Sequence, residues 1–117
     1  MAELKQEPDN TVLQVISGEV WYRERIALPP GAEVTVLLED QSRADAKATV
    51  ITDYTHVVDG KAPPYSFRLV FDPSAIDEHM TYGLRARIEM DGNLLFTSTE
   101  YIDPFAGEPV RILVSKQ

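Results

Sequence analysis

Polar and apolar residues alternate along most of the chain, and the alternation has a period of two. Between Tyr82 and Met90, the residues Tyr82, Leu84, Ala86, Ile88 and Met90 share one face while Arg85, Arg87 and Glu89 share the other. Successive side chains of a strand point to opposite sides, so this pattern predicts a half-buried β-strand. Tyr65, Phe67, Leu69 and Phe71 alternate with Ser66, Arg68, Val70 and Asp72 in the same way, as do Val34, Val36 and Leu38 with Glu33, Thr35 and Glu39. Further strands are predicted over residues 11–24, 48–57, 93–99 and 110–116, each rich in β-branched or aromatic residues.

The residues between these runs agree with them. Leu28-Pro29-Pro30-Gly31 cannot continue a ladder, because two successive prolines lack N–H donors. Asp91-Gly92 between two alternating runs predicts an antiparallel hairpin with a type I′ turn, which needs positive φ at both central positions. Loops are expected from Asp59-Gly60 to Pro63-Pro64 and from Pro104 to Pro109. Only Pro73 to Met80 reads as helical, with Asp72 as N-cap and Pro73 at the first helical position. Gly18 interrupts the first long strand, and a bulge or bend there would explain the change of face among Val15, Ile16, Val20 and Trp21. Short strands with no long helical stretch between them predict an all-β fold, an antiparallel β-sandwich of about seven strands with one short helical turn. A small closed barrel is the alternative. Residues 1–10 are expected to form a flexible tail and residues 11–117 a single sandwich domain.

Composition narrows the function classes. The 117 residues are 44% hydrophobic and 26% charged, which suits one globular domain and argues against disorder. Eleven basic against 19 acidic residues give a net charge of -8, which repels phosphate backbones and anionic lipid headgroups, so no nucleic-acid partner is expected. The absence of cysteine removes disulfides, thiolate zinc sites and Cys nucleophiles. The start of the chain is polar, and no apolar run approaches the roughly 18 residues of a membrane span, so neither a signal peptide nor a transmembrane helix is read. A cytoplasmic protein and a mature exported domain without its leader both fit.

Candidate chemistry is sparse. His56 and His79, the only histidines, have no further ligand at a recognisable metal spacing. Ser42, Ser66, Ser74 and Ser98 lie in no nucleophile elbow, and there is no phosphate-binding glycine loop. Glu39, Asp40 and Asp45 are not read as a catalytic dyad: Asp40 and Ser42 offer turn-forming side chains, and Arg43 is close enough to pair with them. Catalytic residues, metal and cofactor are therefore all expected to be none. The distinctive feature is a set of apolar residues on otherwise polar faces: Leu37, Val70, Leu95 and Leu113. Brought together by neighbouring strands they would form an outer apolar strip on which a peptide or amphipathic helix could dock. The alternative is that a loop or the N-terminal segment covers them.

An ordered series of blocks also resembles a known family. The run Ile16-Ser-Gly-Glu-Val-Trp-Tyr-Arg-Glu-Arg-Ile-Ala-Leu-Pro-Pro-Gly-Ala32, then Val36-Leu-Leu-Glu-Asp-Gln-Ser-Arg-Ala-Asp45, Tyr65-Ser-Phe67, Phe71-Asp-Pro-Ser-Ala-Ile-Asp77, and Tyr82-Gly-Leu-Arg-Ala-Arg-Ile88 followed by Leu94-Leu-Phe-Thr97, resembles the YbaY-type lipoproteins. These are grouped with the type III secretion system lipoprotein chaperones (YscW). The resemblance implies a small β-sandwich of Gram-negative bacteria, tethered by a lipidated cysteine and facing the periplasm. Its best understood relatives are pilotins, which bind a secretin subunit and help it assemble in the outer membrane. It implies no enzymatic activity and transfers no catalytic motif, and this chain lacks the lipidated cysteine. The expected function is a non-catalytic, chaperone-like envelope domain whose partner is a protein segment, from a secretin or another envelope protein. The alternatives are a structural module of the envelope or cytoplasm, and a small hydrolase or carbohydrate-active protein.

Overall fold

The computed structural model describes residues 12–43, 47–107 and 109–117. The expected tail over residues 1–10 and the first residue of the expected first strand lie outside the described residues, as does Asp45. Eight strands follow in chain order: β1 (Gln14–Trp21), β2 (Glu33–Asp40), β3 (Thr49–Val57), β4 (Tyr65–Phe71), β5 (Tyr82–Met90), β6 (Asn93–Thr97), β7 (Val110–Leu113) and β8 (Ser115–Lys116). They make two sheets, a three-stranded one in the order β4-β1-β7 and a five-stranded one in the order β3-β2-β5-β6-β8. All pairings are antiparallel except β1 with β7. The architecture is the expected sandwich.

The period-two faces meet between the sheets. Val34, Val36 and Leu38 of β2 pair across the ladder with Ile88, Ala86 and Leu84 of β5, and all are buried. Tyr65, Phe67, Leu69 and Phe71 of β4 face them from the other sheet, with Ile16 and Val20 of β1. The Tyr22 ring stacks on Phe96 at 4.6 Å between centroids and closes the core at one end. At Asp91 and Gly92, φ is 51° and 80°, so the β5–β6 turn has the two positive φ values of the expected hairpin.

Two sequence expectations change. The last predicted strand is two, because Val114, 1% exposed, is the point at which the chain leaves the three-stranded sheet and joins the five-stranded one. That crossing closes one side of the sandwich and, among the described residues, leaves β3 and β4 as the edge strands on the other. The one short helical turn is as expected, a 3₁₀ turn at Pro73–Ala75 capped by the Asp72 carboxylate, which accepts from Ser74 N at 2.8 Å. Gly18 makes no bulge, since the register of β1 with β4 runs unbroken from Gln14 to Val20. Glycine is required there because the β7 backbone comes so close that a Cβ on residue 18 would lie 2.0 Å from the Val110 carbonyl oxygen.

Strand β2 is buried on both sides. Thr35, Leu37 and Glu39 point away from the core yet are each 6% exposed. Their ladder neighbours explain this: Arg87 and Arg85 of β5 lie opposite Thr35 and Leu37 on one side, Thr55 and Asp53 of β3 on the other. Long arginine stems cover apolar surface while their guanidinium groups stay in water. The Arg85 guanidinium ends on Glu39, with Nε 3.1 Å from Oε1.

Candidate functional site: an aromatic groove with an acidic rim

The four residues expected to form one strip do not share a surface. Leu37 and Leu95 belong to the five-stranded sheet, Val70 and Leu113 to the three-stranded one. Leu37 is covered as described. Leu95 is skipped where the β5–β6 register shifts and packs against the core. Val70 pairs with Val15, and Leu113 with Trp21, on the outer face of β4-β1-β7. Those pairs sit six residues apart along β1, about 20 Å at the rise of a strand. Between them lie Ser17, Glu19 and Arg68, and Arg111 stands 5.2 Å over the Trp21 ring and 3.7 Å from Glu19. The intended strip is thus two separate apolar pairs joined by polar residues.

A different apolar surface lies at the end of the sandwich where β1 begins, β4 ends and β5 begins. Its centre is Phe105, in the loop before β7. The ring is 49% exposed and packs 6.1 Å from Phe71 and 6.3 Å, edge on, from Tyr82. Two clefts of about 670 and 400 Å³ adjoin at this ring and share Ile76, Asp77, Glu78 and Phe105. The first reaches Phe71 and His79, the second Met80 and Tyr101. Met80 is 44% exposed, and its thioether is an adaptable contact surface.

The groove is held from below and framed by turns. The Tyr82 hydroxyl accepts from Asp77 N at 2.9 Å, which ties the segment after the 3₁₀ turn to the sheet. The Tyr101 hydroxyl donates to the Tyr82 carbonyl at 2.6 Å, and Leu84 N donates to the Ile102 carbonyl at 3.0 Å, which anchors the opposite wall to β5. The turns are closed by their own aspartates: Asp77 Oδ1 accepts from His79 N at 2.9 Å, and Asp103 Oδ1 from Phe105 N at 2.8 Å. Such Asx turns need only local sequence, Asp followed two residues later by an N–H. The rim is acidic, with Asp77, Glu78 and Asp103, and among the described residues lining the two clefts there is no Lys or Arg.

The other ionisable groups make no comparable centre. His79 is spent on Asp77, with Nδ1 3.1 Å from Oδ1. His56 stacks beside Tyr54 on the free edge strand β3. Asp40 is held below the ordinary carboxylate range by hydrogen bonds from the Ser42 side chain and backbone, a turn contact. Burial, and then its hydrogen bond with Tyr22, push the Tyr65 hydroxyl well above the usual tyrosine range, and that group donates to the Lys61 carbonyl at 2.7 Å. Among the described residues no group of three or more His, Asp or Glu could hold a metal ion. A polar cleft of about 320 Å³ on the far side of Tyr101 holds Arg43 and Arg85, but Arg85 is already engaged by Glu39.

Sequence reasoning missed the groove because Phe105, Ile76, Met80 and Tyr101 lie in loops, where no periodicity marks a face. The available signal was large apolar residues inside Pro- and Asp-rich connections, positions that usually carry polar side chains.

Comparison with known proteins places the chain. It is similar to the uncharacterized lipoprotein YbaY of Escherichia coli (strain K12), 38% identical over 89 residues, which are 76% of this chain and 46% of that protein. The chain therefore spans about half the length of this curated relative. It is also similar to a solved alternative pilotin from the type II secretion system of Vibrio cholerae, with a TM-score of 0.78 and 40% identity over 91% of this chain and 100% of that one. The sequence profile of the type III secretion system lipoprotein chaperones matches residues 11–111, and the chain belongs to that YscW family.

Proposed function

We propose that this chain is a non-catalytic, chaperone-like domain of the bacterial envelope, pilotin-type in its action, which holds a segment of a secretin or another envelope protein in the Phe105 groove. The observation that carries the proposal is the groove itself: half-exposed aromatic and methionine side chains on a hydrogen-bonded floor, in a member of a lipoprotein chaperone family. Well-packed aromatic anchors ringed by polar residues are the usual form of an interface hot spot. The likeness to a solved pilotin over 91% of the chain supports the same reading, and the family likeness supports a periplasmic or membrane-tethered location. Of the four residues singled out in the sequence, we propose that Val70, next to Phe71, borders the bound segment, and we assign no partner contact to Leu37, Leu95 or Leu113.

The test is co-isolation from envelope fractions of cells producing the natural protein with either Phe105→Ala or Leu113→Lys. One dominant outer-membrane or secretion protein should accompany the parent and the Leu113 variant and be lost with Phe105→Ala. Equal recovery with both variants, or recovery of cytoplasmic proteins alone, refutes the proposal.

A further inference from the structure

We infer that a second copy of this chain occupies the open edge of β3, the two β3 strands pairing antiparallel about a two-fold axis through Tyr54 so that two five-stranded sheets become one. An unpaired sheet edge is a template for another strand, and folds protect such edges by shortness, by charged residues or Pro, or by cover. Among the described residues, three of the sheet edges are protected in this way. Strands β7 and β8 are four and two residues long and carry Arg111 and Lys116. Strand β4 follows Pro64 and carries Arg68 at its middle. Strand β3 has none of these devices: its nine residues contain no Lys, Arg or Pro and one carboxylate, Asp53, and its Val50 and Val57 are half-exposed. Clefts of about 470 and 280 Å³ meet at Tyr54 and Ser66, so β4 does not fill the flank of β3. None of the residues lining the Phe105 groove belongs to β3, and the inference stands apart from the chaperone reading.

The register follows from symmetry and from the β3 sequence. Opposed residues of an antiparallel pair point to the same face, so a two-fold axis normal to the sheet passes through a residue that stands opposite itself. Such an interface is self-complementary and closes at two copies. An axis at Asp53 sets two carboxylates face to face, which is destabilising. One at Thr52 brings Ile51, which the β2 register skips, beside the centre, and one at Thr55 pairs only Asp53 to Val57. An axis at Tyr54 puts Thr55 of each copy opposite Asp53 of the other, a hydroxyl facing a carboxylate, and Thr52 opposite His56. It also sets the two Tyr54 side chains against each other, an aromatic pair of the kind that stabilises neighbouring strands. The net charge of -8 on each copy opposes association, but at physiological salt such repulsion is screened beyond about 8 Å, and Asp53 is the one carboxylate of β3. Pairing through one strand is a small interface, so the dimer should dissociate in the micromolar range.

Sedimentation equilibrium of the full chain tests this. The mass should rise from 13.1 kDa toward twice that value as the protein is concentrated to hundreds of micromolar. The rise should be steeper at about 0.15 M salt than at about 0.01 M, where repulsion reaches about 30 Å. Thr55→Asp sets a carboxylate opposite Asp53 on both sides of the axis and should weaken association about tenfold. Leu94→Asp, a 44% exposed position on β6 with the same change in net charge, should leave association unchanged. Cysteine pairing reads the register, since the chain has no cysteine of its own, and it keeps the test decisive should Thr55→Asp disturb the contact of Thr55 with Thr35. Asp53→Cys and Thr55→Cys proteins, changed at exposed positions and oxidised together, should give chiefly the mixed disulfide. Directly opposed Cα atoms lie about 4.5–5.5 Å apart, within disulfide reach, whereas 53 to 53 or 55 to 55 is a diagonal of about 7–8 Å. A monomer mass at every concentration, association indifferent to Thr55→Asp in a folded protein, or disulfides of each variant with itself as abundant as the mixed one each overturns the inference. A chain that stays monomeric yet captures an extended peptide on β3 assigns the edge to another protein and overturns it as well.

Discussion

Replacing Gly18 by alanine tests how closely β7 joins β1 within the three-stranded sheet. The added Cβ would lie 2.0 Å from the Val110 carbonyl oxygen and 2.9 Å from Phe67 Cε2, where ordinary contact begins at 3.4 Å. The phenyl ring can turn aside, but the carbonyl belongs to the β7 backbone, so relief requires β7 to move outward by more than an ångström. That movement strains the one parallel ladder among the described residues, in which Gly18 to Trp21 pair with Val110 to Leu113. Overpacking of this kind costs about 1–3 kcal/mol or somewhat more. The smaller entropy of an unfolded alanine returns about 0.4–1 kcal/mol. With the weakened ladder included, the net loss should be about 2–4 kcal/mol. An unfolding entropy of roughly 2.1 cal/mol/K per residue makes this a fall of about 8–16 °C in Tm for a chain of this size. Thermal and urea unfolding followed by circular dichroism would read it, with an unchanged urea m-value and faster hydrogen exchange confined first to β7 amides. A Gly18→Ala protein melting within about 2 °C of its parent, where the clash demands about 2 kcal/mol or more, would refute the close approach of β1 and β7.

Other perturbations probe separate parts of the account. Gly92→Ala meets nothing within 4 Å but must hold φ near 80°, so it should lose only about 1–2 kcal/mol by denaturation; a loss as large as that of Gly18→Ala contradicts the turn argument. Arg85→Ala leaves the Glu39 carboxylate, whose side chain is 7% exposed, with Gln41 Nε2 at 3.2 Å, and should destabilise by about 1–3 kcal/mol. Adding Glu39→Gln should restore part of that, and a neutral Arg85→Ala would show that the arginine does not shield β2. Tyr65 binds its proton more tightly when folded, so its contribution to stability is complete below the unfolded tyrosine value near 10 and declines as the pH rises above it toward the folded value. Alkaline titration by ultraviolet absorbance should show that Tyr65 resists ionisation until the protein unfolds, so that Tyr65→Phe removes amplitude from the unfolding-linked step; an unfolding-linked step unchanged by Tyr65→Phe contradicts it.

Periodicity served well where a strand has one dry and one wet face. For β4 and β5, alternate residues identified the core faces directly. The same rule is silent about which strands share a sheet, and that silence produced the strip: Leu37 and Val70 each interrupt a polar face, but long-range pairing sends them to different sheets. In β2, apolar Leu37 was not a docking surface waiting for a partner but a residue covered by neighbouring strands of the same sheet, including the arginines of β5. Gly18 had a local explanation, a bulge, and a non-local one, the approach of β7, and only the tertiary structure distinguishes them. The groove depends on Phe105 meeting Phe71 and Tyr82 across 34 and 23 residues of sequence, a contact with no local pattern to announce it.

Site-specific photocrosslinking in living cells tests the central claim most directly, with a benzophenone residue placed at position 105 or, as the control, at 113 in the natural protein and adducts identified from the envelope. The account predicts one dominant adduct from position 105, mapping to one segment of an outer-membrane or secretion protein, and none of that protein from position 113. The same adduct from 113 with none from 105 would contradict it.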